Sequence, residues 1–172
     1  MKESKIRLWW DFSRLRDAIY KIKYFFQRLF RGYSDPEIFS VYHYIAKFVY
    51  PRLKKFTNGK RMGVPCAMFP TPDKSHTDEE HEEADKNWQD ILNKMLFAFE
   101  WILYDDFELS KKEMEEFEKK YGNIHEEKEE YKSKIDILDG DFYFNMELYD
   151  KLNEDCQEGL ELFGKYFRNL WD

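Results

Sequence analysis

An all-α fold, read as one domain over 1–172 and a bundle of about five helices, is what the sequence predicts, and three observations predict it. Apolar residues recur at spacings of three and four over long stretches, the period of a helix face rather than of a strand. Only 7 Gly and 5 Pro interrupt 172 residues, and period-two alternation is hard to find outside Asp141 to Asn145. Helix starts carry Ser or Thr with Glu three residues on, the capping-box signal. A chain of this length buries about 70% of its unfolded surface without a staple. With 19% aromatic and 37% charged residues it divides between core and solvated face.

The first helix is predicted over Trp9 to Phe30, with Phe12, Leu15, Ile19, Ile22, Phe25, Phe26 and Leu29 at helical spacing and Arg14, Arg16, Lys21, Lys23 and Arg28 between them. Such a helix can lie on anionic lipid, reach a nucleic-acid backbone or cover a core, and covering the core is the expected use. Gly32 can end it in a left-handed conformation, Ser34 can cap the next helix with Glu37 as its box partner, and Pro36 suits a first turn. The second helix runs from Ile38 towards Phe56, with a kink or break expected at Pro51, and Asn58-Gly59 stops it. Gly63 to Ser75, with Pro65, Pro70 and Pro72, is an irregular connection whose Val64, Cys66, Met68 and Phe69 can stay on the core.

The central element is a helix near 78–104. Trp88, Ile91, Leu92, Met95, Leu96, Phe99, Ile102 and Leu103 form a wide apolar face, widened by Phe97, Ala98 and Trp101, and Thr77 with Glu80 marks the start. A turn over Asp105 to Ser110 leads to a charged helical arm near 110–135, opened by Ser110 and Glu113. Its stripe Met114, Phe117, Tyr121, Ile124, Lys128, Tyr131, Ile135 and Leu138 meets an interruption at Gly122-Asn123. Asp139-Gly140-Asp141 reads as a return turn. The last helix starts near Asn145 and should pack on the central one, with Gly159 and Gly164 as points of close approach.

Several of these pieces form a recognisable set: Tyr24 to Arg28, Arg31-Gly32-Tyr33-Ser34-Asp35, Ile45 to Phe48 with Pro51-Arg52-Leu53-Lys54, Trp88 to Phe99, and Gly159 to Phe167 with Leu170-Trp171. Together they cover about half the chain. The set resembles a family of short bacteriophage proteins of unknown function. That resemblance implies expression in the cytoplasm of an infected bacterium; it brings no activity and no site residues. Asp139 to Asn153 looks like an addition to the family's pattern.

Two cysteines, Cys66 and Cys156, make no disulfide framework, which suits a reducing compartment. The apolar residues after Met1 to Arg7 are broken by charges, so no secretory signal is expected. The longest apolar run, Met95 to Tyr104, holds Glu100 and falls far short of the ~20 residues of a membrane span. The net charge of −7 is unevenly spread: 15 Lys/Arg against 5 Asp/Glu up to Arg61, then 13 against 30. The two halves can pair with each other or face separate partners.

For chemistry, His76 and His81 flank acids but stand five apart, not the four that puts two imidazoles on one helix face, and no third zinc ligand is indicated. An all-helical magnesium-dependent nucleotide pyrophosphohydrolase would use acid pairs such as Glu79/Glu82 and Glu147/Asp150, with Glu100 as a further ligand or base; acid-rich helices also generate such pairs by chance. No Gly-rich phosphate loop, nucleophile elbow or Cys/His dyad appears. The expected function is therefore contact, with no cofactor: a binding protein whose partner is a host or viral protein, the acidic stretch Asp105 to Glu130 offering a nucleic-acid mimic. Direct nucleic-acid binding through Arg28, Arg31, Lys47, Arg52, Lys54, Lys55, Lys60 and Arg61 is the alternative.

Overall fold

The protein is all-α. Its structure, a computed structural model, describes residues 3–61, 63–71, 75–124 and 145–170, with side chains from residue 15 onward, and these residues contain five α-helices and no strand. They are α1 (Glu3–Arg31), α2 (Val41–Asn58), α3 (Asp78–Asp105), α4 (Lys111–Tyr121) and α5 (Met146–Tyr166), joined or followed by short 3-10 turns at Asp35–Ile38, Cys66–Met68 and Phe167–Asn169. Chain contacts group into two compact units, Met1–Tyr44 and Ile45–Asp172.

In the N-terminal unit the one buried residue among those described is polar, Ser34. Its hydroxyl donates to Glu37 Oε1 (2.7 Å) instead of capping a helix, and α2 begins only at Val41 after the 3-10 turn. The sequence reading thus placed the turn correctly and its bonding wrongly. Gly32 does adopt φ +79°, which a side chain would strain. Gln27 and Asp35 clamp the turn reciprocally: Gln27 Nε2 donates to the carboxylate (2.7 Å) while the Asp35 N–H donates back to Gln27 Oε1 (3.0 Å). Arg31 and Lys23 add ion pairs to Asp35, and Arg28 pairs with Glu37. Within this unit the apolar stripe of α1 is exposed, from Leu15 at 58% to Phe30 at 79%.

The C-terminal unit holds the hydrophobic core. Trp88, Leu92, Met95, Ala98, Phe99 and Trp101 of α3 are buried among α2, α4 and α5, so the central helix does lie inside. α3 starts at the box foreseen, Thr77 accepting from the Glu80 N–H while the Glu80 carboxylate accepts from the Thr77 N–H. Ser110 and Glu113 repeat the device for α4, and Asn145 caps α5 by accepting from the Leu148 N–H. Gly122, at φ +100°, ends α4. The remainder of the predicted arm, with Lys128, Tyr131, Ile135, Leu138 and the Asp139-Gly140-Asp141 turn, lies outside the described residues.

α5 packs chiefly on α3, and Gly159 makes the approach possible: a Cβ there would stand 2.3 Å from Lys94 O and 2.7 Å from Ala98 Cβ. Gly164, expected to serve likewise, has nothing within 4 Å of such a Cβ. Trp101 stacks on Tyr104 and Phe117, and its indole N–H donates to Asn153 (3.0 Å), satisfying the polar atom that burial brings with it. Pro51 does not break α2, which continues to Asn58. Among the described residues no helix is long and apolar enough to cross a membrane.

Candidate functional site

The part of α2 within the C-terminal unit has two apolar lines. Ala46, Tyr50, Leu53 and Thr57, spaced four, three and four, are buried against the core. Phe48, Val49, Arg52 and Phe56 lie beside that line, and there the helix meets Phe163 of α5 and Phe167 and Leu170 of the C-terminal turn. Together with Leu53 they line an open groove of about 390 Å³. Phe163 is fixed edge-on between Phe99 (4.8 Å) and Phe167 (5.4 Å), which anchors that wall to the core. Phe48 and Phe167 remain 61% and 62% exposed.

Arg52 is the one charged residue of the lining. Its guanidinium lies 3.8 Å from the centroid of the Phe48 ring, a cation–π contact, and Nη1 donates to Phe48 O (2.7 Å). Among the described residues no carboxylate pairs with it.

Most of the other basic residues proposed for nucleic acid do have carboxylates. In the N-terminal unit Arg28 pairs with Glu37 and Arg31 with Asp35. In the C-terminal unit Lys47 pairs with Glu108 (2.7 Å), Lys54 with Glu113 (3.2 Å) and Arg61 with Asp85 (3.5 Å), Arg61 also donating to Gln89 (2.7 Å). Lys55 and Lys60 stand exposed on α2 and just after it. The uneven charge of the sequence is thus largely matched within each unit at these positions.

The acids proposed for metal are dispersed over two helices. Glu79 and Glu82 are exposed in the first turns of α3, Glu147 and Asp150 are exposed in the first turns of α5, and Glu100 lies deep in α3. Glu100 accepts from the Tyr50 hydroxyl (2.8 Å), which in turn accepts from Lys54 Nζ (2.9 Å). Burial first, and then the Glu100 hydrogen bond, hold the Tyr50 phenol well above its usual range, so it stays a donor and braces α2 on α3. Among the described residues no three His, Cys, Asp or Glu side chains gather as a cation site. His76 stacks on Phe69 (4.1 Å) and His81 meets the same ring edge-on (5.0 Å). Burial pushes the Cys156 thiol up to about 11, and its Sγ–H faces Ala98 O, the setting of an inert packing residue rather than a nucleophile.

Sequence reading missed the groove. Its signal was the second line on α2, because Phe48 and Phe56 fall off the stripe that Tyr50 and Leu53 define. That Phe163 and Phe167 would face the same place depends on how α5 crosses α3.

No protein-family model, no curated protein and no solved structure matches this chain.

Proposed function

We propose that the protein acts by contact, holding a protein partner in the groove between α2, α5 and the C-terminal turn. The observation that carries this reading is the composition of that groove: exposed phenylalanines around one arginine that lacks an acidic partner within the described chain. Aromatic residues and arginine dominate the energetics of protein interfaces, since they bury large areas and form directional contacts. The matching segment is an amphipathic helix or turn with two or three bulky apolar side chains and a carboxylate for Arg52. The resemblance to short phage proteins supports a host or viral protein as the source of that segment, met in the cytoplasm of an infected bacterium. Pairing of Arg28, Arg31, Lys47, Lys54 and Arg61 with carboxylates favours this over nucleic acid, because phosphate contacts would have to displace those acids.

The test is a nuclease-treated pull-down from expressing cells with the wild-type chain and Phe48→Glu in parallel. A protein recovered by the wild type, retained at high salt and lost by Phe48→Glu is the expected result. Capture of DNA or RNA that weakens steeply between about 50 and 200 mM salt would replace this reading with the nucleic-acid one.

A further inference from the structure

We infer that the groove of the C-terminal unit takes an acidic partner: an amphipathic helix whose apolar side chains fill the groove and whose carboxylates flank them. This rests on the groove being the contact site proposed above and adds what its occupant must carry. The observation is how α2 divides its cations. Over Val41–Asn58 the helix has Lys47, Arg52, Lys54 and Lys55 and no acid. Lys47 and Lys54, seven apart, share one side, and the chain answers each with a carboxylate, Glu108 and Glu113. Arg52 and Lys55, three apart, share the exposed side of Phe48, and among the described residues no carboxylate pairs with either.

The opposite wall agrees. The turn Phe167–Asn169 carries Arg168 next to Phe167, both exposed, and among the described residues Arg168 has no carboxylate either. The chain has 35 Asp and Glu against 28 Lys and Arg, so counter-charge is plentiful. Three exposed cations left unneutralised at one apolar groove are complementary to negative charge on what enters it. Arg52 is ready for that role: the Phe48 ring lies 3.8 Å from its guanidinium, and Phe48 O takes one of the five N–H donors a guanidinium has. The rest are enough for a two-pronged carboxylate pair, and the stack limits the freedom lost in forming it.

The floor of the groove selects a helix as the occupant's form. Apart from Arg52 its lining is apolar side chain, so a strand or irregular segment laid in it would bury backbone N–H and C=O groups without partners, whereas a helix bonds its own. Phe48 to Phe56 spans about 12 Å of α2 at 1.5 Å per residue, which matches two to three turns of a helix with apolar residues at i, i+3 or i+4, and i+7. A nucleic-acid backbone would engage the cations and leave the aliphatic Val49, Leu53 and Leu170 without a counterpart. The apolar floor thus holds the partner, and the cations choose which amphipathic helix it is.

The test is selection of a random library of peptides about 16 residues long, room for four helical turns, against the full chain, with Phe48→Glu as counter-target. Peptides with apolar residues at helical spacing and an excess of Asp and Glu are the expected result. Fluorescence anisotropy then compares the best peptide with its counterpart in which every acid is changed to its amide; the neutral form should bind about tenfold more weakly, a comparison that needs no variant of the protein. Arg52→Gln should lose about tenfold on the acidic peptide and little on the neutral one, and Arg168→Gln about threefold. Lys86→Gln, exposed near the start of α3, should change neither. Between about 50 and 200 mM salt the acidic peptide should weaken by less than about tenfold, since screening reaches the cations and not the apolar contacts. Apolar peptides without acids, basic peptides, or equal binding of the acidic and neutral forms would overturn the inference and leave the groove standing as the contact site. No peptide that tells the wild type from Phe48→Glu would overturn both. Tighter binding of oligothymidylate or of phosphatidylserine vesicles than of the acidic peptide, at equal salt, would replace the helix with nucleic acid or a membrane surface.

Discussion

The two compact units draw on the same amino acids and use them in opposite ways. In the C-terminal unit Trp88, Trp101, Tyr104 and Phe117 are among the least exposed side chains, and polar groups such as Tyr50 and Asn153 bond where helices meet. In the N-terminal unit the buried residue is Ser34, while leucines, isoleucines and phenylalanines of α1 lie outside. The contrast teaches that helical spacing identifies an apolar face without identifying what covers it. α3 has its cover inside the chain. α1 has an apolar face of the same spacing that its own unit leaves exposed.

The sharpest way to break this contrast is one substitution made in both units. Leu92→Ala removes a side chain with no exposure and should cost about 3 kcal/mol, whereas Leu15→Ala, at 58% exposure, should change the stability of the C-terminal unit by less than about 0.5 kcal/mol. Urea unfolding followed by near-ultraviolet circular dichroism measures both, and equal losses would mean that α1 belongs to the same cooperative core. Within the C-terminal unit the two glycines of α5 sharpen the point. Gly159→Ala should cost about 1 to 3 kcal/mol, because the new methyl meets Lys94 O in the backbone of α3; Gly164→Ala, with open space, should gain about 0.5 to 1 kcal/mol from helix propensity.

A smaller effect is expected at Phe107. It holds φ 55° just after α3, where Glu108 N–H bonds back to Leu103 O (2.8 Å), a closure that glycine usually makes. Phe107→Gly should therefore melt above Phe107→Ala, by about 1 kcal/mol of stability, since both remove the ring and only glycine relieves the backbone.

Acid should act on both units through bonded carboxylates, with the least effect near neutrality. The Gln27 side chain holds Asp35 below its usual 3.8, the Ser34 hydroxyl holds Glu37 below its usual 4.5, and the Ser110 hydroxyl holds Glu113 below the same value. A carboxylate lowered on folding contributes stability that is complete above its ordinary pKa and is lost as pH falls through its folded value. Urea midpoints should hold steady down to about pH 4.5 and then decline, and Glu113→Gln should flatten part of the decline. A steady midpoint well below that pH would show that these bonds do not couple to folding.

Much of the fold was legible because it is local. Thr77 with Glu80 and Ser110 with Glu113 reach only three residues, so the sequence alone determined where α3 and α4 begin, and a capping Asn145 did the same for α5. Spacing likewise determined which face of each helix is apolar. Ser34 and Glu37 present the same letters and make the same hydroxyl-to-carboxylate bond as Ser110 and Glu113, yet the Ser34 hydroxyl caps no backbone N–H, and the Glu37 carboxylate pairs with Arg28. Tertiary structure alone decided which glycine of α5 admits α3, that Lys47 meets Glu108 and Lys54 meets Glu113, and that Phe48, Phe163 and Phe167 line one groove. The physical reason is one of range: a cap is satisfied by its own turn of backbone, while a groove or an ion pair between helices exists only once distant segments have settled their crossing.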